Sequence, residues 1–307
     1  MPQRTSVGII GTGWVGTSVA ISALQTGTAN ELVLYDIREG LAEGEAMDLA
    51  HGSSFYPSAG VRSGTLEDMY EMDAVVIAAG KGGTPGQTRL DLLRDNASIV
   101  RDLAQRMRGY KGLVVIVTNP VDVLTLVFAK ASELPPERVI GTGTMLDTAR
   151  LRQVLGRELT LDPRSIHAQV VGEHGDSEVV LWSSATVGGL RLQRWPGWRQ
   201  EREAAIAQEV RTAAYEIIKR KGATNHAIGL VTSALLRWML RGERRVLTVS
   251  RLQSGVKGLE NVALSLPTIV GRDGATQVLE PELSEDERSR LEQSAAVLRK
   301  AAASLAA

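Results

Sequence analysis

Residues 7–16 read Val7-Gly8-Ile9-Ile10-Gly11-Thr12-Gly13-Trp14-Val15-Gly16. A short apolar, β-branched run stops at a cluster of glycines, and helical spacing begins at once over 15–26, so the stretch predicts a strand, a tight turn and a helix. In a GxGxxG placed there, Gly11 makes the turn, Gly13 lets a diphosphate approach the backbone, and Gly16 lets helix and strand pack closely. Unpaired N–H groups and the positive end of the helix dipole then face the anion. A glycine-rich turn with no ligand would show the same pattern, and Asp36 separates the two readings. It follows the next apolar run, 32–35, about 20 residues past Gly16, where a carboxylate accepts hydrogen bonds from ribose hydroxyls and repels a 2′-phosphate. That favours NAD over NADP. The same side chain is also placed to cap the helix that follows.

Working outward, apolar runs at 7–10, 32–35, 74–79 and 113–117 alternate with helical patterns at 15–26, 41–51 and 90–108. Strands apolar on both faces, separated by helices, predict a parallel sheet covered on both sides: an α/β, doubly wound dinucleotide-binding (Rossmann) domain over 1–142. The pattern then changes. Helical spacing at 145–157 and 201–221, a strand at 166–171, and an antiparallel set at 246–250, 262–270 and 276–279, turning at Arg272-Asp273-Gly274, predict an α+β domain over 143–307. Ser284 and Glu287 form a capping box that opens the last helix.

Composition narrows the function. The 307 residues carry 35 Lys+Arg against 35 Asp+Glu, so no net field attracts nucleic acid or an anionic membrane. No apolar stretch reaches the ~18 residues of a membrane span, and the N-terminus lacks a signal-peptide pattern. A cytoplasmic protein is expected. The absence of cysteine removes thiolate chemistry and cysteine metal sites, and the four histidines lack metal-ligand spacing. No metal is expected.

His174 lies in Gly172-Glu173-His174-Gly175-Asp176-Ser177, just after a predicted strand, with glycines that let its ring face a cleft. An imidazole exchanging protons near neutral pH needs a carboxylate to orient it. Asp147, in Gly143-Thr144-Met145-Leu146-Asp147-Thr148-Ala149-Arg150, suits that role, and Arg150 shares its helical face. One helix thus presents an orienting carboxylate and a guanidinium fork able to grip a substrate carboxylate. An ordinary i,i+3 surface ion pair has the same spacing.

Taken together, these motifs resemble those of the L-lactate/malate dehydrogenase family, in the family's order and over essentially the whole chain. Gly11 to Gly16 and Asp36 are similar to its NAD site. Thr84-Pro85-Gly86-Gln87-Thr88-Arg89-Leu90-Asp91 resembles its mobile active-site loop, and Val117-Thr118-Asn119-Pro120-Val121-Asp122 resembles a substrate-contacting segment. The resemblance implies hydride transfer between NAD and a small 2-hydroxy or 2-oxo acid. His174 would be proton donor and acceptor, Asp147 its partner, Arg150 the carboxylate clamp, and Arg89 the group polarising the carbonyl. Asn119 would hydrogen-bond near the carbonyl and touch the cofactor. Thr224 would line the pocket, and Trp14, Val15, Ala79, Gly80 and Ile228 would complete the cofactor contacts.

The family's specificity position, six residues before the loop arginine, resembles neither of its two usual forms. Lactate enzymes have Gln and malate enzymes Arg, but here it is Gly83. Burying a second carboxylate without a cationic partner costs several kcal/mol, which disfavours malate chemistry unless Lys81 reaches the site. The missing side chain leaves room for bulkier 2-oxo acids. With Thr224 similar to the lactate type, an L-lactate dehydrogenase is the expected activity; malate or bulkier 2-hydroxy acid dehydrogenases and a non-catalytic NAD sensor are the alternatives. An NAD-dependent glycosidase would need a cysteine-held metal. Arg152 and His167 resemble a fructose 1,6-bisphosphate site at a two-fold interface, and the resemblance implies a homotetramer, or at least a homodimer.

Overall fold

The computed structural model describes residues 5–83 and 88–305. The first half forms strands β1 (Ser6–Ile10), β2 (Glu31–Tyr35), β3 (Gly60–Ser63), β4 (Ala74–Ile77), β5 (Leu113–Ile116) and β6 (Val139–Gly141), with helices α1 (Trp14–Gln25), α2 (Glu39–His51), α3 (Arg89–Arg106) and α4 (Val121–Ser132). The strands are parallel in the order β3-β2-β1-β4-β5-β6. The expected strands and helices are present; β3, β6 and α4 are additional. Every residue of β4 and β5 is buried. Their alternate side chains divide between two apolar clusters. Val75, Ile77, Val114 and Ile116 meet Leu93 and Val100 of α3 and Phe128 of α4 on one face. Ala74, Val76, Leu113 and Val115 meet Val19 and Ala23 of α1 on the other. A period of two along strands covered on both sides produces this division.

The second half comprises α5 (Met145–Leu159), β7 (Ile166–His167), β8 (Val170–Val171), β9 (Val179–Val180), β10 (Thr186–Val187), β11 (Leu190–Arg191), α6 (Glu203–Lys221), α7 (His226–Leu240), β12 (Arg245–Leu252), β13 (Ala263–Gly271), β14 (Gly274–Val278) and α8 (Glu285–Ala303). The antiparallel set and its turn appear as expected, and Ser284 with Glu287 forms the capping box of α8. This set is not a separate sheet. Ser250 of β12 lies opposite Gly141 of β6, so β12, β13 and β14 extend the parallel sheet to nine strands among the described residues. A Cβ at Gly141 would lie 2.4 Å from Thr125 Oγ1 and 3.0 Å from Ser250 Cβ, so a glycine permits this junction.

The single strand expected over 166–171 divides into β7 and β8, which belong to different sheets. The break lies where α5 takes over the backbone groups: Arg152 Nε donates to Ala168 O at 3.0 Å, and Val170 N–H donates to Thr148 Oγ1 at 3.0 Å. The two halves also meet through α7, which docks on α1. A Cβ at Gly229 would lie 2.5 Å from Ser18 O.

Candidate active site

At the carboxyl ends of β1 and β4 the strand order reverses, which is where open α/β sheets bind ligands. The three glycines there behave differently. Gly11 has φ +96°, and a Cβ on it would lie 2.4 Å from Ala79 N; one on Gly16 would lie 1.9 Å from Gly11 O. Both positions are closed by neighbouring backbone. A Cβ on Gly13 would meet nothing within 4 Å, so this glycine borders open space at the start of α1, as approach of a diphosphate requires. Trp14 is exposed and Val15 half-buried beside it. Ala79 and Gly80 continue from β4, pinned by Thr118 Oγ1 donating to Ala79 O at 2.8 Å.

Asp36 is buried at the end of β2. Its Oδ2 accepts Thr12 N–H at 2.9 Å and its Oδ1 accepts Arg38 N–H at 3.0 Å. Burial raises its pKa, but the hydrogen bonds from Arg38 and Thr12 outweigh that and hold it below the usual carboxylate range. It is therefore an anion tied to the glycine turn. The expected helix cap is not formed: Arg38 is the N-cap residue of α2, with no side-chain cap. The residues present fit a dinucleotide with free ribose hydroxyls.

The histidine, aspartate and arginine singled out in the sequence lie on the second half and come together there. His174 Nδ1 is 2.5 Å from Asp147 Oδ2, and Arg150 NH1 is 2.7 Å from Asp147 Oδ1. Asp147 is 3 % exposed at its side chain, so water does not compete for it, and its position in the first turn of α5 favours a negative charge. Burial alone would raise its pKa, but His174 and Arg150 hold it below the usual range. Burial also works against the imidazolium of His174, yet the charge and hydrogen bond of Asp147, aided by Asp122, carry its pKa up to about 9. This is a buried chain of alternating charge rather than a surface ion pair.

Backbone contacts aim the ring. His174 N–H donates to Asp122 Oδ2 at 2.7 Å, and Glu173 N–H donates to Ser294 Oγ of α8 at 2.8 Å. Burial pushes Asp122 up to about 6, opposed by the Ser250 hydroxyl and the His174 N–H. Asp122 belongs to the segment singled out for Asn119; its part in holding the histidine turn was not legible in sequence.

Arg89 is the first residue of α3, capped by Thr88. Its NH1 stands 3.4 Å from Asp176 Oδ2, and the Tyr215 hydroxyl donates to Asp176 Oδ1 at 2.8 Å. The loop arginine thus lies beside the histidine turn. Residues 84–87 of the expected loop are outside the described residues. Gly83 is exposed, and among the described residues a Cβ there would meet only Leu92 Cδ2 at 3.6 Å. Lys81 does not take over the position: its ammonium pairs with Asp95 of α3 at 3.1 Å.

Asn96 of α3 is a buried strut. Its Oδ1 accepts Lys81 N–H at 2.7 Å and its Nδ2 donates to Asn119 O at 3.0 Å. An amide on the apolar face of an amphipathic helix was the available signal. Asn119 Oδ1 accepts Val121 N–H at 3.2 Å. Thr224 is half-buried after α6, and Ile228 packs on the cluster beneath α1. Arg152 lines a cavity of about 380 Å³ with Arg164, Leu230 and Trp238, which His167 does not line. His167 is exposed on β7.

Known proteins resemble this chain over nearly its whole length. The family profile described as lactate/malate dehydrogenase, NAD binding domain, matches residues 5–141, and the one for the alpha/beta C-terminal domain matches 144–307. An L-lactate dehydrogenase from Synechococcus sp. (strain JA-3-3Ab) is 45% identical over 294 residues, 95% of this chain and 96% of that protein. One from Thermus aquaticus is 45% identical over 306 residues, 97% and 99% of the two chains. The crystal structure of the minor L-lactate dehydrogenase from Enterococcus mundtii superposes with a TM-score of 0.95 at 39% identity, covering 98% of both chains. A nucleotide crevice on the parallel sheet, facing a buried Asp–His–Arg chain from the second half, is what this kinship accounts for: the chain belongs to the lactate/malate dehydrogenase family of NAD-dependent oxidoreductases.

Proposed function

We propose that the protein is an NAD-dependent L-lactate dehydrogenase, converting pyruvate, NADH and a proton to L-lactate and NAD+. The observation that carries the reading is Asp147 standing between His174 and Arg150. Arg150 offers its remaining N–H groups to the substrate carboxylate and fixes the acid in one orientation. His174, protonated at neutral pH, donates its Nε2 proton to the carbonyl oxygen during reduction and recovers it from the hydroxyl during oxidation. Asp147 stays ionised and stabilises the imidazolium. Bound NAD supplies or accepts the hydride. Arg89, leaving Asp176 for the carbonyl oxygen, polarises the carbonyl and helps exclude water. Asn119 hydrogen-bonds near the carbonyl, Thr224 and Gly83 line the substrate pocket, and Ile228 backs the nicotinamide. Gly11, Gly13, Trp14, Val15, Gly16, Asp36, Ala79 and Gly80 hold the dinucleotide.

Two further parts belong to this reading. The division falls at 142/143, supported by the helix α5 that begins the catalytic half, and the protein works in the cytoplasm. Subunits associate as a homotetramer, or at least a homodimer, with fructose 1,6-bisphosphate held by Arg152 and His167 from two copies across a two-fold axis.

The open space at Gly83 favours a second substrate reading, in which bulkier 2-oxo acids are also accepted. NADH oxidation with pyruvate, oxaloacetate and phenylpyruvate, each with and without fructose 1,6-bisphosphate, tests the activity, the substrate readings and the effect of the bisphosphate. Pyruvate or phenylpyruvate should exceed oxaloacetate by more than about tenfold in kcat/KM, about 1.4 kcal/mol, because Gly83 offers no cation at the specificity position to a second carboxylate. A preference for oxaloacetate, or no turnover at all, would overturn the reading.

A further inference from the structure

Glu178 follows the histidine turn and is 5% exposed. Its Oε1 finds no hydrogen-bond partner among the described residues. A carboxylate left so is costly to ionise, yet this one is set among charges. The charge of Asp147 adds to that cost, while His174 of its own segment, Arg211 of α6 and Arg150 of α5 oppose it. Helix α6 packs on α5 through Ile206 and Val210 against Leu151 and Leu155. Arg211 is in turn incompletely satisfied: NH1 donates to Gln208, and its buried Nε has no partner among the described residues. The mechanism above uses neither Glu178 nor Arg211.

We propose that Glu178 is a positioning residue of the substrate-carboxylate site: as a neutral acid it leaves Arg150 and Arg211 their full attraction for an incoming carboxylate, and as an anion it competes with that carboxylate. The proposal rests on the dehydrogenase reading. With Glu178 neutral and His174 neutral, Asp147, Arg150 and Arg211 sum to one positive charge, which a monocarboxylate cancels. With Glu178 ionised the cluster is already neutral, and the substrate adds an uncompensated negative charge in a poorly solvated place. Burial, with Asp147 adding to it, pushes the Glu178 pKa up to about 8, against the opposing pull of His174, Arg211 and Arg150. The exchange therefore falls within an assayable range.

Oxidation of L-lactate isolates the effect. The hydroxy acid donates to an unprotonated His174, so loss of the His174 proton favours its binding and cannot raise its KM. That His174 effect is common to the native enzyme and Glu178→Gln, so the ratio of native to Glu178→Gln KM for L-lactate at saturating NAD+ isolates Glu178, and it should rise about tenfold between pH 7 and pH 9.5. That is the scale of a unit-charge repulsion across one layer of side chains at an intermediate dielectric. In Glu178→Gln the KM should follow His174 alone, and Glu178→Asp should show the same rise over Glu178→Gln as the native enzyme. A ratio that stays flat across the range would overturn the proposal, as would a Glu178→Asp profile that coincides with that of Glu178→Gln. Absence of turnover with both L-lactate and pyruvate would sink the dehydrogenase reading along with it.

Discussion

His174 and Asp147, 27 residues apart in the chain, meet directly: Nδ1 of a histidine between two short strands stands 2.5 Å from Oδ2 of an aspartate in the first turn of α5. The contact fixes the ring, so that Nε2 is the nitrogen left for substrate, and holds the imidazolium against the cost of burial. Asp147→Asn keeps the shape and removes the charge. The His174 pKa should fall from about 9 toward or below its ordinary 6.5, and kcat/KM for pyruvate reduction at pH 8 should drop about 100-fold or more, with a smaller loss at pH 6. A pH profile that keeps its native position in the variant would show that Asp147 does not govern the imidazole.

The same pKa sets the native pH dependence. At saturating NADH, kcat/KM for pyruvate should be level below the His174 pKa and fall above about 9, while lactate oxidation should gain from the same deprotonation. Stability is linked to it. The folded pKa lies above the unfolded value of 6.5, so the native state holds the proton more tightly. The stabilisation is complete below pH 6.5 and is lost as pH rises through about 9. Melting of the native protein against His174→Gln should show their difference moving against the native chain over that window.

Arg150→Lys retains a positive charge but loses the fork shared between Asp147 and the substrate. KM for pyruvate should rise about 30-fold or more, the lower end of what breaking a desolvated charge pair costs. Steady-state kinetics would reveal it, and an unchanged KM would place the carboxylate elsewhere.

The nucleotide turn separates folding from binding. Gly16→Ala puts a methyl 1.9 Å from Gly11 O, and melting should show a loss of about 3 kcal/mol or more. Gly13→Ala, at φ −73° and facing open space, should leave the melting temperature near native. Its NADH affinity should fall about tenfold, since the methyl sits where a diphosphate approaches. Native NADH affinity in Gly13→Ala would place the dinucleotide off this turn.

Asn96→Ala removes the strut between α3, Lys81 and Asn119 and leaves their backbone groups unpaired, which should cost about 1–3 kcal/mol. KM for the substrate should rise with it, because both tethered segments border the pocket. Thermal melting and kinetics together check this, and loss of stability without a change in KM would confine Asn96 to the fold.

Local patterns sufficed for the elements that carry their own signal. Runs buried on both faces marked β1, β2, β4 and β5; Gly11 to Gly16 marked the turn into α1; Ser284 and Glu287 marked the start of α8. Strands β3 and β6 and helix α4 escaped: β3 is a short edge strand of mixed polarity, β6 has three residues, and α4 is a short apolar stretch with most of its residues buried. His174, Asp147 and Arg150 could be singled out because proton transfer and carboxylate binding need those side-chain types, whatever the fold.

What the sequence by itself determined was chemistry and local geometry: the turn, the anion at its edge, the acid–base and guanidinium groups. Only the tertiary structure decided which groups meet. Glu178 sits 31 residues from Asp147 and 33 from Arg211 in the chain, and its neighbours exist only because α5 and α6 pack against the histidine turn. The joining of both halves into one sheet turns on Ser250 opposite Gly141. Such pairings depend on long-range packing, where one missing Cβ or one buried carboxylate decides the outcome without leaving a local period in the chain.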